Sequence, residues 1–189
     1  YRCRVTNGAC STSFSSDALL TVNQVPVNPT VISGIPNLCQ NTTGVSYSVP
    51  VVSLATSYTW TLPAGATIAT GAGTNNITID FGSASGNIMV AGTNICGSSA
   101  TPSIVPVIVN TGVPADPGVI TGETSACINV TGKIYSVSSV PGASSYTWTV
   151  PAGATITAGV NTNTITVSYG ALAVSGNITV VGINPCGPS

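Results

Sequence analysis

The most reactive side chains in this sequence belong to six cysteines, at positions 3, 10, 39, 96, 127 and 186. None of them form a Cys-x-x-Cys pair, so their spacing matches neither a zinc ribbon nor a thioredoxin-type redox site. The sequence has no histidine, which excludes Ser–His–Asp and Cys–His catalytic sites and histidine-ligated metals. An even number of widely spaced cysteines favours structural disulfides, and therefore an oxidising compartment.

Charged side chains are almost as scarce as histidine. Only 4% of the 189 residues are charged and the net charge is −1, whereas an average soluble domain is about 25% charged. Without a basic stripe for phosphate contacts, nucleic-acid binding is not expected. The acids Asp80, Asp116 and Glu123 are too few and too scattered for Ca²⁺, which takes about six to eight oxygen ligands.

Enzymatic activity is not expected either. Serine is abundant, but a serine nucleophile needs a base to activate it, and no histidine is available. Lys133 could act as a base in principle, yet no matching motif surrounds it. We therefore predict no catalytic residue, no cofactor and no bound metal.

The pattern of apolar residues predicts strands. Hydrophobic residues make up 43% of the chain, and the abundant Val, Ile and Thr suit a half-buried pleated surface. Apolar and polar residues alternate along VSYSV at 45–49, YTWTL at 58–62, NITIDF at 76–81 and NIMVAG at 87–92, and 104–109 supplies a final strand. No apolar run approaches the roughly 18 residues of a membrane span, so we expect a chain that does not span a membrane.

The chain contains an internal repeat of 88 residues. The sequence YTWTLPAGATI at 58–68 recurs as YTWTVPAGATI at 146–156. After Gly82 the second copy gains two residues, and SGN at 85–87 then matches SGN at 175–177. About seven strands in about 88 residues, separated by turns, predict tandem antiparallel β-sandwiches of the Ig-like class.

Proline-rich segments mark the boundaries between these units. VPVNP at 25–29 and VPADP at 113–117 repeat with the same spacing, and paired prolines favour an extended, semi-rigid linker. We therefore predict three units: the end of a preceding Ig-like domain at 1–22, repeat 1 at 23–110 and repeat 2 at 111–189.

Both ends of the sequence look incomplete as domains. YRCRV at 1–5 places a Tyr two residues before Cys3, as in the corner of immunoglobulin domains; residues 6–17 would form a turn and ALLTV at 18–22 the last strand. Cys3 and Cys10 would pair with each other or with an upstream cysteine. Repeat 2 stops at Ser189 without a last strand, so either part of a longer chain is represented or a neighbour donates the strand.

The predicted layout assigns the remaining cysteines and the aromatic residues. The first cysteine of each repeat precedes the second strand and the second cysteine closes the strand before the last, so we pair Cys39 with Cys96 and Cys127 with Cys186. Each bridge would enclose roughly 60 residues and contribute about 4 kcal/mol; pairing across repeats is the less favoured alternative. Alternation places four aromatic residues in the core rather than on a sugar-stacking surface: Tyr58, Trp60, Tyr146 and Trp148.

The combined motif resembles a known family. The pattern Y-T-W-T-[LV]-P-A-G-A-T-I, followed by T-N-x-I-T-[IV], S-G-N-I and N-x-C-G, is similar to the PKD-like domain over residues 23–189. Such repeats are typical of very large secreted surface proteins of Bacteroidota, including gliding-motility adhesins of the SprB type exported by the type IX system. The original PKD signature Trp-Asp-Phe-Gly-Asp-Gly is not present after Trp60 or Trp148, so no carboxylate role is carried over.

The resemblance implies a structural repeat segment of a long extracellular surface adhesin or filament. Its role would be that of a rigid stalk or spacer for cell-surface adhesion or gliding, and its partners would be neighbouring repeats of the same chain. One alternative is a polysaccharide-binding module, whose partner would be a surface polysaccharide or another cell-surface component; this predicts exposed aromatics beside Asn or Gln. The other is an accessory segment of a secreted hydrolase.

Overall fold

The computed structural model describes residues 4–5, 13–14 and 16–189, and every regular element in them is a strand. Strand β1 (Arg4–Val5) pairs antiparallel with β2 (Ser13–Phe14). Tyr1, Cys3 and Cys10, on which the predicted corner and its disulfide depend, lie outside the described residues. The predicted strand at 18–22 is wrong, because this backbone pairs with no other described segment and its apolar side chains are exposed.

Repeat 1 forms two sheets. One sheet has the strand order β3-β10-β8-β5, with β9 also paired to β8, and the other has the order β4-β7-β6. Strand β3 runs parallel to β10 and the remaining pairs are antiparallel. The strands are β3 (Asn37–Cys39), β4 (Val45–Ser48), β5 (Ser57–Thr61), β6 (Thr67–Thr70), β7 (Asn76–Asp80), β8 (Gly86–Asn94), β9 (Gly97–Ser98) and β10 (Ser103–Asn110).

Repeat 2 follows the same plan but lacks counterparts of two strands. Its sheets have the orders β11-β12-β15-β14 and β13-β16-β17. No described strand corresponds to β3 or β10, and β11 stands where repeat 1 has only an isolated bridge between Ser33 and Ser48. The two tandem units confirm the predicted all-β architecture. Their strands are β11 (Thr121–Gly122), β12 (Lys133–Ser136), β13 (Ser145–Thr149), β14 (Ala154–Ala158), β15 (Thr164–Tyr169), β16 (Thr179–Asn184) and β17 (Gly187–Pro188).

Each repeat has its own core, built from the inward-facing residues of alternating strands. In β7 the side chains of Ile77 and Ile79 are fully buried, and Ile165 and Val167 of β15 occupy the equivalent positions. Burying one such side chain contributes about 1.5–3 kcal/mol. The outward positions of β5 carry Thr59 and Thr61, whereas Ile104 and Ile108 of β10 and Ile134 of β12 are exposed, so the solvent face is uncharged but only partly polar.

A glycine and a tyrosine pack together at the same place in both cores. A Cβ atom on Gly34 would lie 2.1 Å from Cδ1 of Tyr47, and one on Gly122 would lie 2.4 Å from Cδ1 of Tyr135. Only glycine leaves room for the ring at these positions. The hydroxyl of Tyr47 donates to the carbonyl of Ile35 and that of Tyr135 to the carbonyl of Glu123, so each ring is buried while its polar end is satisfied.

These two tyrosines make stability sensitive to alkaline pH. Burial raises the pKa of Tyr47 to about 12, and burial, with a smaller effect of the hydrogen bond to Tyr169, raises the pKa of Tyr135 to about 12. Their stabilising contribution is therefore complete below pH about 10, the pKa of an unfolded tyrosine, and is lost as pH rises towards 12. We expect the free energy of unfolding to fall by up to about 1.4 kcal/mol per pH unit per tyrosine.

Urea unfolding followed by tryptophan fluorescence between pH 9 and 12 measures this slope. The free thiols are alkylated first, so that disulfide exchange does not contribute. Tyr47→Phe and Tyr135→Phe should each reduce the slope of the unfolding free energy against pH by the contribution of one titrating tyrosine. A slope that both substitutions leave unchanged would contradict the assignment.

Candidate functional site

A disulfide joins the two repeats. It connects Cys39, the last residue of β3, to Cys186, in the turn between β16 and β17, across a sequence separation of 147 residues and a Cα–Cα distance of 4.9 Å. The Sγ atom of Cys186 lies 3.4 Å from the carbonyl oxygen of Asn110, the last residue of β10. The bridge therefore bonds the edge of repeat 1 where β10 ends to the side of repeat 2 that faces the linker.

The bridge corrects the predicted pairings of Cys39 with Cys96 and of Cys127 with Cys186. Cys39 lies beside Asn110, at the end of the sheet where β8 begins, whereas Cys96 follows the other end of β8. At about 3.3 Å per residue, a nine-residue strand separates them by roughly 30 Å, far beyond the Cα–Cα limit of about 7 Å for a disulfide. In repeat 2, Cys127 lies on a groove with Gly176 and Asn177, just before β16 begins, whereas Cys186 follows the other end of β16. Cys96 and Cys127 instead carry free, exposed thiols.

Hydrogen bonds fix the linker on both sides of the disulfide. From repeat 1, the side-chain amide of Gln40 donates to the carbonyl of Thr111 at 2.8 Å. From repeat 2, the buried amide of Asn184 donates to the carbonyls of Gly112 at 2.8 Å and Gly142 at 3.0 Å. Each such bond contributes about 0.5–1.5 kcal/mol. Both repeats therefore hold the linker.

The cysteine turn of this junction occurs twice in the chain. The backbone N–H of Cys186 donates to Oδ1 of Asn184 at 2.8 Å, and that of Cys96 donates to Oδ1 of Asn94 at 2.8 Å. The amide of Asn94 in turn donates to the carbonyl of Gln24 at 2.7 Å, in the segment that precedes repeat 1. The Asn-x-Cys-Gly motif is the sequence signal that this cysteine lies against the linker rather than against its own repeat.

Repeat 2 contains an open groove of about 620 Å³. In repeat 1 the equivalent space is filled by β10, whose Val107 and Val109 are only 2% and 6% exposed. The sequence predicted that the last strand of repeat 2 is missing, and no described residue of the chain fills the groove. Its apolar lining includes Ile120, Ala126, Tyr135, Tyr169, Val174 and Ile178.

The four aromatic residues of the motif make internal contacts. The indole N–H of Trp60 donates to Thr74 and that of Trp148 to Thr162, each at 2.9 Å. The hydroxyls of Tyr58 and Tyr146 each accept a backbone N–H at 2.8 Å. Tyr146 and Trp148 are buried, and Tyr58 and Trp60 pack half-buried against the core. Among residues 16–189 no aromatic side chain is fully exposed.

The acidic residues lie in separate contacts. Oδ1 of Asp80 accepts the backbone N–H of Gly44 at 2.8 Å, and Glu123 forms an ion pair of 2.6 Å with Lys133. An exposed ion pair of this kind contributes about 0–1 kcal/mol. Within the described part of the chain no three His, Cys, Asp or Glu side chains lie close enough together to hold a metal ion.

The repeated sandwich, its aromatic motif and its linker prolines agree with one family. The profile of the PKD-like domain matches residues 25–107 and again residues 113–189. The chain belongs to the PKD-like domain family. No curated protein sequence matches it, and in the described residues no helix is long and apolar enough to cross a membrane.

Solved structures that overlap with these PKD-like repeats are distant in sequence. One is FdeC, an adhesin of Escherichia coli, which is 14% identical with a TM-score of 0.39; the alignment covers 94% of this chain and 66% of that chain. The PKD-like chain thus spans less than two thirds of the adhesin chain. Another is a chimeric titin Z1Z2, which is 13% identical with a TM-score of 0.36; the alignment covers 89% of this chain and 91% of that chain.

Proposed function

We propose that the two PKD-like repeats are a rigid segment of a long extracellular surface adhesin or filament. They act as a stalk or spacer in cell-surface adhesion or gliding and have no catalytic activity of their own. The observation that carries this proposal is the disulfide between Cys39 and Cys186, which joins the repeats across their linker. A structural disulfide is typical of an oxidising, extracellular environment.

The junction supports a spacer because it opposes bending. Neighbouring domains in one chain move relative to each other by default unless their interface is extensive. Here a disulfide lies at the interface and Gln40 and Asn184 hold the linker from opposite sides. The proline-rich linker is held as well, because Pro114 lies against Gly182 of repeat 2. Rigidity therefore comes from several independent contacts.

The surface favours a spacer over a polysaccharide-binding module. A sugar-binding face needs exposed aromatic rings, but the polar atoms of Trp60 and Trp148 are bonded within the fold. The exposed outward residues include Thr59 and Thr61 of β5, Ile104 and Ile108 of β10 and Ile134 of β12, none of which offers an aromatic stacking platform. Membership of the adhesins exported by the type IX system is part of the same proposal and derives from the sequence resemblance.

Rigidity is tested by NMR on the oxidised chain. Residual dipolar couplings measured for the two repeats should fit a single alignment tensor, because the repeats reorient as one body. The variant Cys186→Ser, which removes the bridge, should give two different tensors, whereas Cys96→Ser keeps the bridge and should behave as the wild type does. Independent reorientation of the repeats in the oxidised wild-type chain would refute the stalk.

Ligand binding is tested separately on a glycan array. We expect no saturable binding of the oxidised chain to any glycan, and tryptophan fluorescence resistant to quenching by acrylamide. Saturable, micromolar binding to one glycan, weakened by Trp60→Phe, would replace the spacer with the polysaccharide-binding module.

A further inference from the structure

The two free cysteines occupy the same positions in the repeat as the two bonded ones. Cys96 is the counterpart in repeat 1 of Cys186, and Cys127 is the counterpart in repeat 2 of Cys39. Both thiols are exposed, and each lies at the end of its repeat that faces away from the Cys39–Cys186 bridge. The observed bridge thus uses one cysteine of each repeat and leaves the other facing outward.

The surroundings of Cys96 resemble those of Cys186 in the observed bridge. In repeat 2 the amide of Asn184 bonds the linker carbonyl of Gly112 and places Cys186 against the preceding repeat. In repeat 1 the amide of Asn94 bonds the carbonyl of Gln24, which stands at the position equivalent to Gly112. Cys96 is therefore placed to meet whatever domain precedes repeat 1.

An apolar surface lies next to Cys96 and indicates that this end is covered. Val22, Leu54 and Ile95 are 82%, 52% and 89% exposed, and they line a shallow hollow of about 510 Å³. Leu54 has a φ of +67°, whereas the equivalent residue at the occupied junction is Gly142, with a φ of +81°. A left-handed conformation costs a residue with a Cβ roughly 1–2 kcal/mol. Strain of this kind is typical of functional surfaces.

The surroundings of Cys127 resemble those of Cys39 in the observed bridge. Cys39 is held at the junction because β3 pairs with the last strand of its own repeat, in the register Cys39 to Asn110. Cys127 lies at the equivalent edge of repeat 2, on the groove where that last strand would lie. Once a strand fills the groove, residues 125–127 gain the partner that positions Cys39 in repeat 1.

We propose that Cys96 and Cys127 form two further inter-repeat disulfides of the same kind as Cys39–Cys186. The partner of Cys96 is a cysteine of the preceding domain that stands where Cys39 stands in repeat 1, and the partner of Cys127 is the second cysteine of a following PKD-like domain. The bridges then run along the array as a covalent ladder in which each repeat is linked to both neighbours. This inference rests on the proposed tandem array and adds to it the bonds between its members.

Each new bridge forms by thiol–disulfide exchange with a small-molecule disulfide such as oxidised glutathione. The thiolate of one cysteine attacks a sulfur of the oxidised glutathione, forms a mixed disulfide and releases one glutathione thiolate. The thiolate of the facing cysteine attacks the protein sulfur of that mixed disulfide and releases the second glutathione. Two protein thiols lose two electrons and two protons, and one glutathione disulfide becomes two thiols.

Copies of the two repeats can be joined into longer chains that test the pairing of Cys127 and of Cys96 without knowledge of the natural neighbours. Ser189 is equivalent to Ser99, so appending residues 100–189 after Ser189 completes repeat 2 and adds a third repeat. In this chain Cys127 should bond the appended copy of Cys186. Conversely, residues 1–110 followed by residues 23–189 place a second copy of repeat 1 in the middle, where Cys39 of the first copy should bond Cys96 of the second. Cys3→Ser and Cys10→Ser are included in both chains.

Both chains are refolded in a glutathione buffer, and their bridges are mapped by mass spectrometry of peptides from peptic digestion without reduction. To make the pairs unambiguous, every cysteine outside the two expected bridges is replaced by Ser. We expect two bridges and no free thiol in each chain. The bridge equivalent to Cys39–Cys186 serves as the internal control for correct folding.

Two outcomes would overturn the ladder. One is that the internal-control bridge forms while the proposed pair remains reduced in either chain. The other is that Cys127 or Cys96 pairs within its own repeat. Such a failure leaves the rigid array intact, because that proposal is tested by the alignment tensors of the unmodified chain. Cys127→Ser in the first chain and Cys96→Ser in the second copy of the other are the matched variants, and each should leave one free thiol.

Discussion

Pulled by its two ends, the oxidised chain is expected to lengthen by about 500 Å less than the reduced chain. Force applied at the N-terminus reaches Cys39, crosses the disulfide to Cys186 and leaves through the last residues of the chain. The 147-residue separation between the two cysteines is therefore bypassed, and at about 3.3–3.6 Å per extended residue it accounts for the difference. The whole core of repeat 2 and all of the core of repeat 1 except Ile32 and Leu38 lie inside the protected segment.

Single-molecule force spectroscopy with and without dithiothreitol measures this difference directly. Cys186→Ser should release the full length even under oxidising conditions, because its chain has no bypass. Cys96→Ser is the matched control and should keep the short extension of the oxidised wild type. Release of both repeats by oxidised wild-type molecules would show that the bridge does not carry the load.

Appending residues 100–110 after Ser189 is expected to stabilise repeat 2 by enough to raise its melting temperature by about 5–10 °C. These residues contain β10, whose Val107 and Val109 fill the core of repeat 1. The groove of repeat 2 is lined by residues equivalent to those that receive β10, so the appended strand should bury the same side chains there. Burial of each valine contributes about 1.5–3 kcal/mol, partly offset by ordering of the segment.

Hydrogen exchange of residues 176–180 reports on the groove, since the equivalent residues of β8 pair with β10 in repeat 1. Protection there should appear together with the rise in melting temperature. The control carries Val107→Asp and Val109→Asp in the appended segment only, which leaves both native repeats unchanged. If this control is as stable and as protected as the apolar version, the groove does not accept the strand.

Strand positions were predicted well because they depend on local pattern. The alternation in 45–49, 76–81 and 104–109 corresponds to β4, β7 and β10 to within a residue or two. Each of these segments has one face that must be buried, and a period of two residues determines which face that is. The segment 18–22 is equally apolar but has no described partner strand, and composition alone does not provide one.

Disulfide pairing was predicted wrongly because it depends on which ends of the sheets meet. Cys39 and Cys96 are neighbours among the cysteines of one repeat, yet β8 separates them by its whole length. Only the stacking of repeat 2 on the end of repeat 1 brings Cys186 to Cys39. Sequence separation contains no information about that arrangement.

The sequence by itself determined the local and repeated features of this protein: its strands, the inward face of each strand, the twofold repeat and the membership of the PKD-like family. These follow from residue type and spacing, which act over a few residues and recur unchanged. The tertiary structure alone decided the junction, the groove of repeat 2 and the two outward-facing thiols. Each of these depends on contacts between residues far apart in the chain, such as Cys186 and Asn110, whose proximity arises only when the sandwiches have formed and stacked.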